Sequence, residues 1–119
     1  MATINLDAFG HNEVVDVSAD KTLAEGDSGV VQNVTKTAVI TLPSTVAGAA
    51  FIIRVGEQDI TVTVKPATLD KIMGNGFTSA DNKSLIFTKV PASSFVELAA
   101  DGADGYFVRR IFGTATRQA

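Results

Sequence analysis

Seven consecutive residues, Asp59-Ile60-Thr61-Val62-Thr63-Val64-Lys65, alternate polar and β-branched apolar side chains without a break. A pleated strand turns successive side chains to opposite faces, so Ile60, Val62 and Val64 form one wall while Asp59, Thr61, Thr63 and Lys65 form the other. An amphipathic helix needs its apolar residues three or four apart and cannot use this pattern. Residues 37–42 repeat the device with Ala38, Ile40 and Leu42 inward, and Phe51, Ile53 and Val55 repeat it around an outward Arg54. The chain is therefore read as sheet with one core face and one wet face per strand.

Further strand signals lie at residues 30–34, 85–90, 95–99 and 106–112. Seven or eight short strands at nearly even spacing predict an all-β chain: a single compact β-sandwich or small β-barrel, β-tulip-like, over residues 28–119. Residues 1–27 break this grammar, with apolar pairs such as Val14-Val15 set among acids, and are read as an N-terminal arm or peripheral strands. Pro43 closes its strand because it cannot donate to a ladder, and Gly56-Glu57-Gln58 marks a tight reversal before residue 59. Asp101-Gly102-Ala103-Asp104-Gly105 predicts a hairpin loop joining the last two strands as antiparallel neighbours. Between Pro66 and Asn82 periodicity fails, and Leu69, Ile72, Met73 and Phe77 at helical spacing predict one short helix or an excursion loop. No internal repeat and no linker divides the chain.

At 119 residues the chain is one domain, large enough to bury a core without staples. It has no cysteine, which removes disulfides, thiolate metal sites and thiol nucleophiles together. No run approaches the ~20 apolar residues of a spanning helix, and the opening residues lack a signal-peptide pattern, so the expectation is a chain made in the cytoplasm and no membrane partner. A formal net charge of −3 opposes phosphate backbones, and no nucleic-acid partner is expected. The charge is uneven. Up to Asp27 the acids Asp7, Glu13, Asp16, Asp20, Glu25 and Asp27 face Lys21 alone, whereas Arg109, Arg110 and Arg117 gather near the other end.

Candidate chemistry is sparse. His11 is the single histidine, so no pair of histidines can hold a metal or relay a proton. The early acids lack the alternating ligand spacing and terminal glutamate of a calcium loop. Met73-Gly74-Asn75-Gly76-Phe77 is glycine-rich but has no following Lys-Ser or Lys-Thr to make a phosphate cradle. The serines have no base beside them and no nucleophile elbow. No catalytic residue, cofactor or metal is expected. The seven phenylalanines suit a core or a subunit interface, and since Tyr106 and Phe107 point to opposite faces, one of them must meet a partner, a second sheet or solvent.

Ser28-Gly29-Val30-Val31-Gln32-Asn33, Ile40-Thr41-Leu42-Pro43, Asp59-Ile60-Thr61-Val62-Thr63-Val64, Asp70-Lys71-Ile72-Met73-Gly74-Asn75-Gly76, Ala80-Asp81-Asn82-Lys83 and Gly102-Ala103-Asp104-Gly105-Tyr106 follow one another in an order and spacing that carry a resemblance. The segment from Ser28 to Phe112 resembles a group of small virion structural proteins of tailed bacteriophages, most of all head-decoration, or cement, proteins. The resemblance transfers no active site. It implies a place on the outer surface of the expanded capsid, with the major capsid protein and further copies of the chain, as a homotrimer, for partners. The candidate capsid or subunit contacts are then Ile4, Leu6, Phe9, Val14 and Val15 at the acidic end and Arg109, Arg110 and Arg117 at the basic end. The alternative is a tail-fibre or adhesin module that recognises a host surface, against which stand the absent tryptophan, the single tyrosine and the lack of a repetitive shaft.

Overall fold

The computed structural model describes residues 13–74 and 80–118. Eleven strands run along it: β1 (Val14–Val17), β2 (Lys21–Thr22), β3 (Val31–Val34), β4 (Ala38–Thr41), β5 (Ala50–Val55), β6 (Thr61–Lys65), β7 (Lys71–Met73), β8 (Leu85–Thr88), β9 (Phe95–Ala100), β10 (Gly105–Phe112) and β11 (Thr116–Arg117). They form two packed sheets, one of six strands in the order β1-β3-β5-β9-β10-β7 and one of five in the order β11-β8-β6-β4-β2. The chain is thus an all-β sandwich, and its extents of 42 × 32 × 22 Å are those of a slab two sheets thick.

The connectivity is less ordinary than the layering. From β1 to β6 the chain steps from one sheet to the other at every strand, so β1, β3 and β5 stack in parallel in the first sheet. β2, β4 and β6 do the same in the second. The first half is a coil whose rungs are of unequal length, which is why no repeat shows in the sequence. Gly56-Glu57-Gln58 does reverse the chain, but it carries it across to the opposite sheet, and β5 and β6 are not ladder partners. Antiparallel strands close the second half: β9 lies beside β5, β10 beside β9, and β8 beside β6.

Alternation decides the core. Phe51, Ile53 and Val55 from β5 meet Ile40 from β4, Leu42 just after it, and Val62 and Val64 from β6, all at most 1 % exposed. Leu98 is equally buried, and Ile60 is only partly so, packed against the cluster from the turn before β6.

Of the two readings of the first 27 residues, residues 14–27 follow that of peripheral strands and not that of an arm: β1 and β2 are edge strands of the two sheets, and Val17 and Leu23, 5 % and 2 % exposed, belong to the core. Their apolar pairs were read as irregular because the strands are too short to show a period. Residues 1–12 lie outside the described residues. No short helix forms among the described residues between Pro66 and Asn82 either. Ile72 enters the core from β7, which pairs in parallel with β10, while Leu69 is exposed at φ 68° and donates its N–H to Asn82 Oδ1. Phe77 lies outside the described residues; Leu69 sits in a turn and Ile72 and Met73 in a strand, and the only helical turn among the described residues is Glu25–Asp27, a 3-10 turn.

The predicted hairpin is present and unusually well tied. Asp101 Oδ1 accepts the N–H groups of Ala103, Asp104 and Gly105, which hold its carboxyl below the usual carboxylate range. Thr45 Oγ1 donates to the Gly105 carbonyl and accepts the Gly102 N–H. Tyr106 follows, fully buried against Phe51 with its hydroxyl donating to the Pro43 carbonyl at 2.8 Å. Burial, and then the Asp70 carboxylate, push this phenol up to about 12. An unfolded tyrosine ionises near pH 10, so between about pH 10 and about pH 12 the unfolded chain releases a proton that the folded chain keeps. Stability present below that window is therefore lost across it. Melting curves over this range are expected to fall in step with tyrosinate absorbance, and Tyr106→Phe, the chain having one tyrosine, should abolish that absorbance and flatten the fall.

Candidate assembly surface

The two outer faces of the sandwich differ. On the second sheet Thr41, Thr61, Thr63, Thr88 and Thr116 point outward around Val39 and Ile86, a mostly hydroxylated, wet surface. On the first sheet the register lays three rows across the strands. Ala50, Ala99, Phe107 and Met73 form one; Val14, Val31, Ile52, Glu97 and Arg110 form the next; Asp16, Asn33, Arg54, Phe95 and Phe112 form the third. On this face Val14, on edge strand β1, is 59 % exposed, and Phe107 and Phe112, both on β10 four strands away, are 42 % and 61 % exposed.

Its centre is a carboxylate. Glu97 stands in the run Phe95-Val96-Glu97-Leu98-Ala99-Ala100, outward by parity and yet only 6 % exposed. A bulge between Val108 and Arg110 inserts Arg109 opposite a single partner residue, so two neighbouring guanidinium groups reach Glu97. Arg109 Nε stands 3.3 Å from Oε2, and Arg110 holds Oε1 through Nη2. A buried carboxylate without such partners would be strongly destabilising, so the clamp fixes both arginines at the surface. In the third row Arg54 donates to Asn33 Oδ1 and to Ser93 Oγ, and Asn33 donates to Asp16 Oδ1 at 3.0 Å, tying all three rungs together. Beyond this chain the Phe95 and Phe112 rings stack at 6.1 Å.

Of the contacts expected from the sequence, Ile4, Leu6 and Phe9 lie outside the described residues, as does His11. Val14 is on the outer face, whereas Val15 is half-buried and turned toward the sandwich interior. Arg109 and Arg110 are on the face but spend charge on Glu97. Arg117 does not join them: it lies on β11 in the other sheet, in register with the buried Leu85. The basic end is thus two sites, because a sandwich can place residues close in sequence on different layers. Sequence reasoning missed Glu97, whose signal was a lone acid in an apolar run at outward parity. Among the described residues no three acids, histidines or cysteines come together to hold a metal ion, and no helix is long and apolar enough to cross a membrane.

Compared with family models, with curated proteins and with solved structures, the chain finds no match in any of the three.

Proposed function

We propose that the chain is a non-enzymatic structural protein of a tailed-bacteriophage particle, a decoration protein that binds the outside of the expanded head, as a homotrimer, and stabilises it against the pressure of packaged DNA. Two things support this reading: the resemblance of residues 28–112, and a slab with one hydroxylated face and one face that exposes Val14 at one side and Phe107 and Phe112 toward the other. The second carries it. A protein that clamps neighbouring capsid subunits needs a rigid body with an adhesive side and a solvated side, and many copies bound at symmetry-related positions stabilise a shell by mass action without any reacting group.

The experiment uses expanded heads that lack the protein. Such heads are expected to rupture at lower temperature and under milder osmotic shock than decorated ones, and adding the purified chain should restore them. Phe107→Asp combined with Phe112→Asp, both on the surface, should fold normally and lose binding. Bare heads as robust as decorated ones would sink the reading. So would imaging that places the chain on the tail, which is what the fibre or adhesin alternative requires.

A further inference from the structure

The four sheet edges are not treated alike. In the second sheet both edge strands turn a basic side chain toward the interior: Lys21 on β2 is in register with buried Ile40 and donates to Gln32 Oε1 at 2.9 Å, and Arg117 on β11 is in register with buried Leu85. An inward charge at an edge makes it costly for another strand to add there, a device by which sheets resist edge-to-edge pairing. The first sheet lacks the device. β1 turns Val15 and Val17 inward, and its outer edge carries no strand among the described residues. At the opposite side β7 pairs with Gly105, Tyr106 and Phe107 of β10 and Gly74 lies against Val108, so residues 109–112 form a second open edge among the described residues.

These two open edges complement each other. β1 offers exposed Val14 between the exposed acids Glu13 and Asp16, and β10 offers exposed Phe112 beside Arg109 and Arg110. Pairing like with like would oppose acids to acids or arginines to arginines. Pairing unlike edges joins acid to base and apolar to apolar. Direction agrees: β1 runs parallel to β3 and β5, β9 opposes them, and β10 opposes β9, so β1 and β10 run the same way. A neighbouring copy related by rotation about an axis along the strands would set its β1 parallel to this β10, continuing the parallel stacking of the coil.

We propose that copies of this chain associate head to tail, with the open edge of β1 of one copy against residues 109–112 of the next. The inference sharpens the self-association in the reading above, but its test uses the isolated protein and no capsid. A heterologous contact of this kind closes into a ring when the rotation permits.

The chain has no cysteine, which makes cross-linking unambiguous. Positions 14 and 112 of one copy are separated by the four strand spacings from β1 through β3, β5 and β9 to β10, about 19 Å, too far for a linker shorter than that span. Val14→Cys with Phe112→Cys, treated with such a thiol-to-thiol linker, is expected to give covalent oligomers of the size seen by light scattering, while each single-cysteine variant stays uncross-linked. The untreated protein should be a discrete oligomer that dissociates as salt rises, since exposed charge pairs are screened. Glu13→Arg with Asp16→Arg should shift it to monomer with a cooperative melt retained. A wild-type chain that is strictly monomeric overturns the proposal, as do single-cysteine variants that link efficiently into dimers, which would mean a symmetric contact. Should the ring form and fail to bind heads, the decoration role falls and the interface stands.

Discussion

Removal of residues 1–27 is expected to abolish cooperative folding, where a detachable arm would have left a stable domain. The cut takes the outermost strand from each sheet at the same end of the coil. Val17 and Leu23 leave the core with it, and their neighbours in register, Val34 on β3 and Leu42 just after β4, both at most 1 % exposed, would lose that cover. Truncating one buried leucine to alanine typically costs about 2–5 kcal/mol, while a whole domain is stable by about 5–15 kcal/mol. Losing two strands, their ladders and two buried apolar side chains therefore consumes most or all of what holds the fold. Leu23→Ala sets the scale, at roughly 2–4 kcal/mol in a denaturant titration. A truncated chain that is soluble and melts as sharply as the full one would show that the first rung contributes nothing to the core.

The contrast between the two halves of the chain shows what a sequence of this kind discloses. Where the pattern runs over five or six residues, as in β5, β6 and the stretch from Thr37 to Leu42 that holds β4, the inward residues were legible because parity alone fixes them. Where strands are two or three residues long, as in β2 and β7, or set two valines side by side among acids, as β1 does, no clear period develops, and their place is set by neighbours far along the chain. The same limit hid the coil. Alternation tells which face a residue takes and is silent on which strand lies beside it, so a cross-sheet turn at residues 56–58 reads like a hairpin turn.

The assembly surface was legible to the same degree. The sequence showed Tyr106 and Phe107 on opposite faces and Arg110 as part of the basic end, but strict alternation would turn Phe107 and Arg110 opposite ways; the bulge that sets both outward and brings Arg110 to Glu97 adds one residue to one strand and leaves no mark in composition. Arg117 looked like a third member of the cluster because it is near in sequence, and it is elsewhere because the chain crosses sheets after residue 112.

Gly105→Ala should be among the most damaging single substitutions in the protein, and its cause is separable from the ordinary cost of replacing glycine. Gly105 opens β10 at φ +146°, and a Cβ there would lie 2.2 Å from the Lys71 carbonyl oxygen and 2.5 Å from its nitrogen. Those are backbone atoms of β7 and cannot swing aside as a side-chain tip would. Relief requires β7 to move away, which withdraws Ile72 from the core and breaks the parallel ladder from Gly105 to Phe107. The strain also reaches Tyr106, whose hydroxyl bond to the Pro43 carbonyl fixes the neighbouring loop. A loss of about 3–4 kcal/mol is expected, in the range where core disruption and backbone strain combine. Gly48 is the internal control: its φ is +91° and nothing lies within 4 Å of its would-be Cβ. Gly48→Ala meets only the intrinsic penalty of a side chain in the left-handed region, about 1–2 kcal/mol. Denaturant titrations of the two variants side by side read the difference directly. If they prove equally stable, the close approach of β7 to β10 is not what demands glycine at position 105, and the parallel pairing that gives β10 its half-covered edge loses its strongest support.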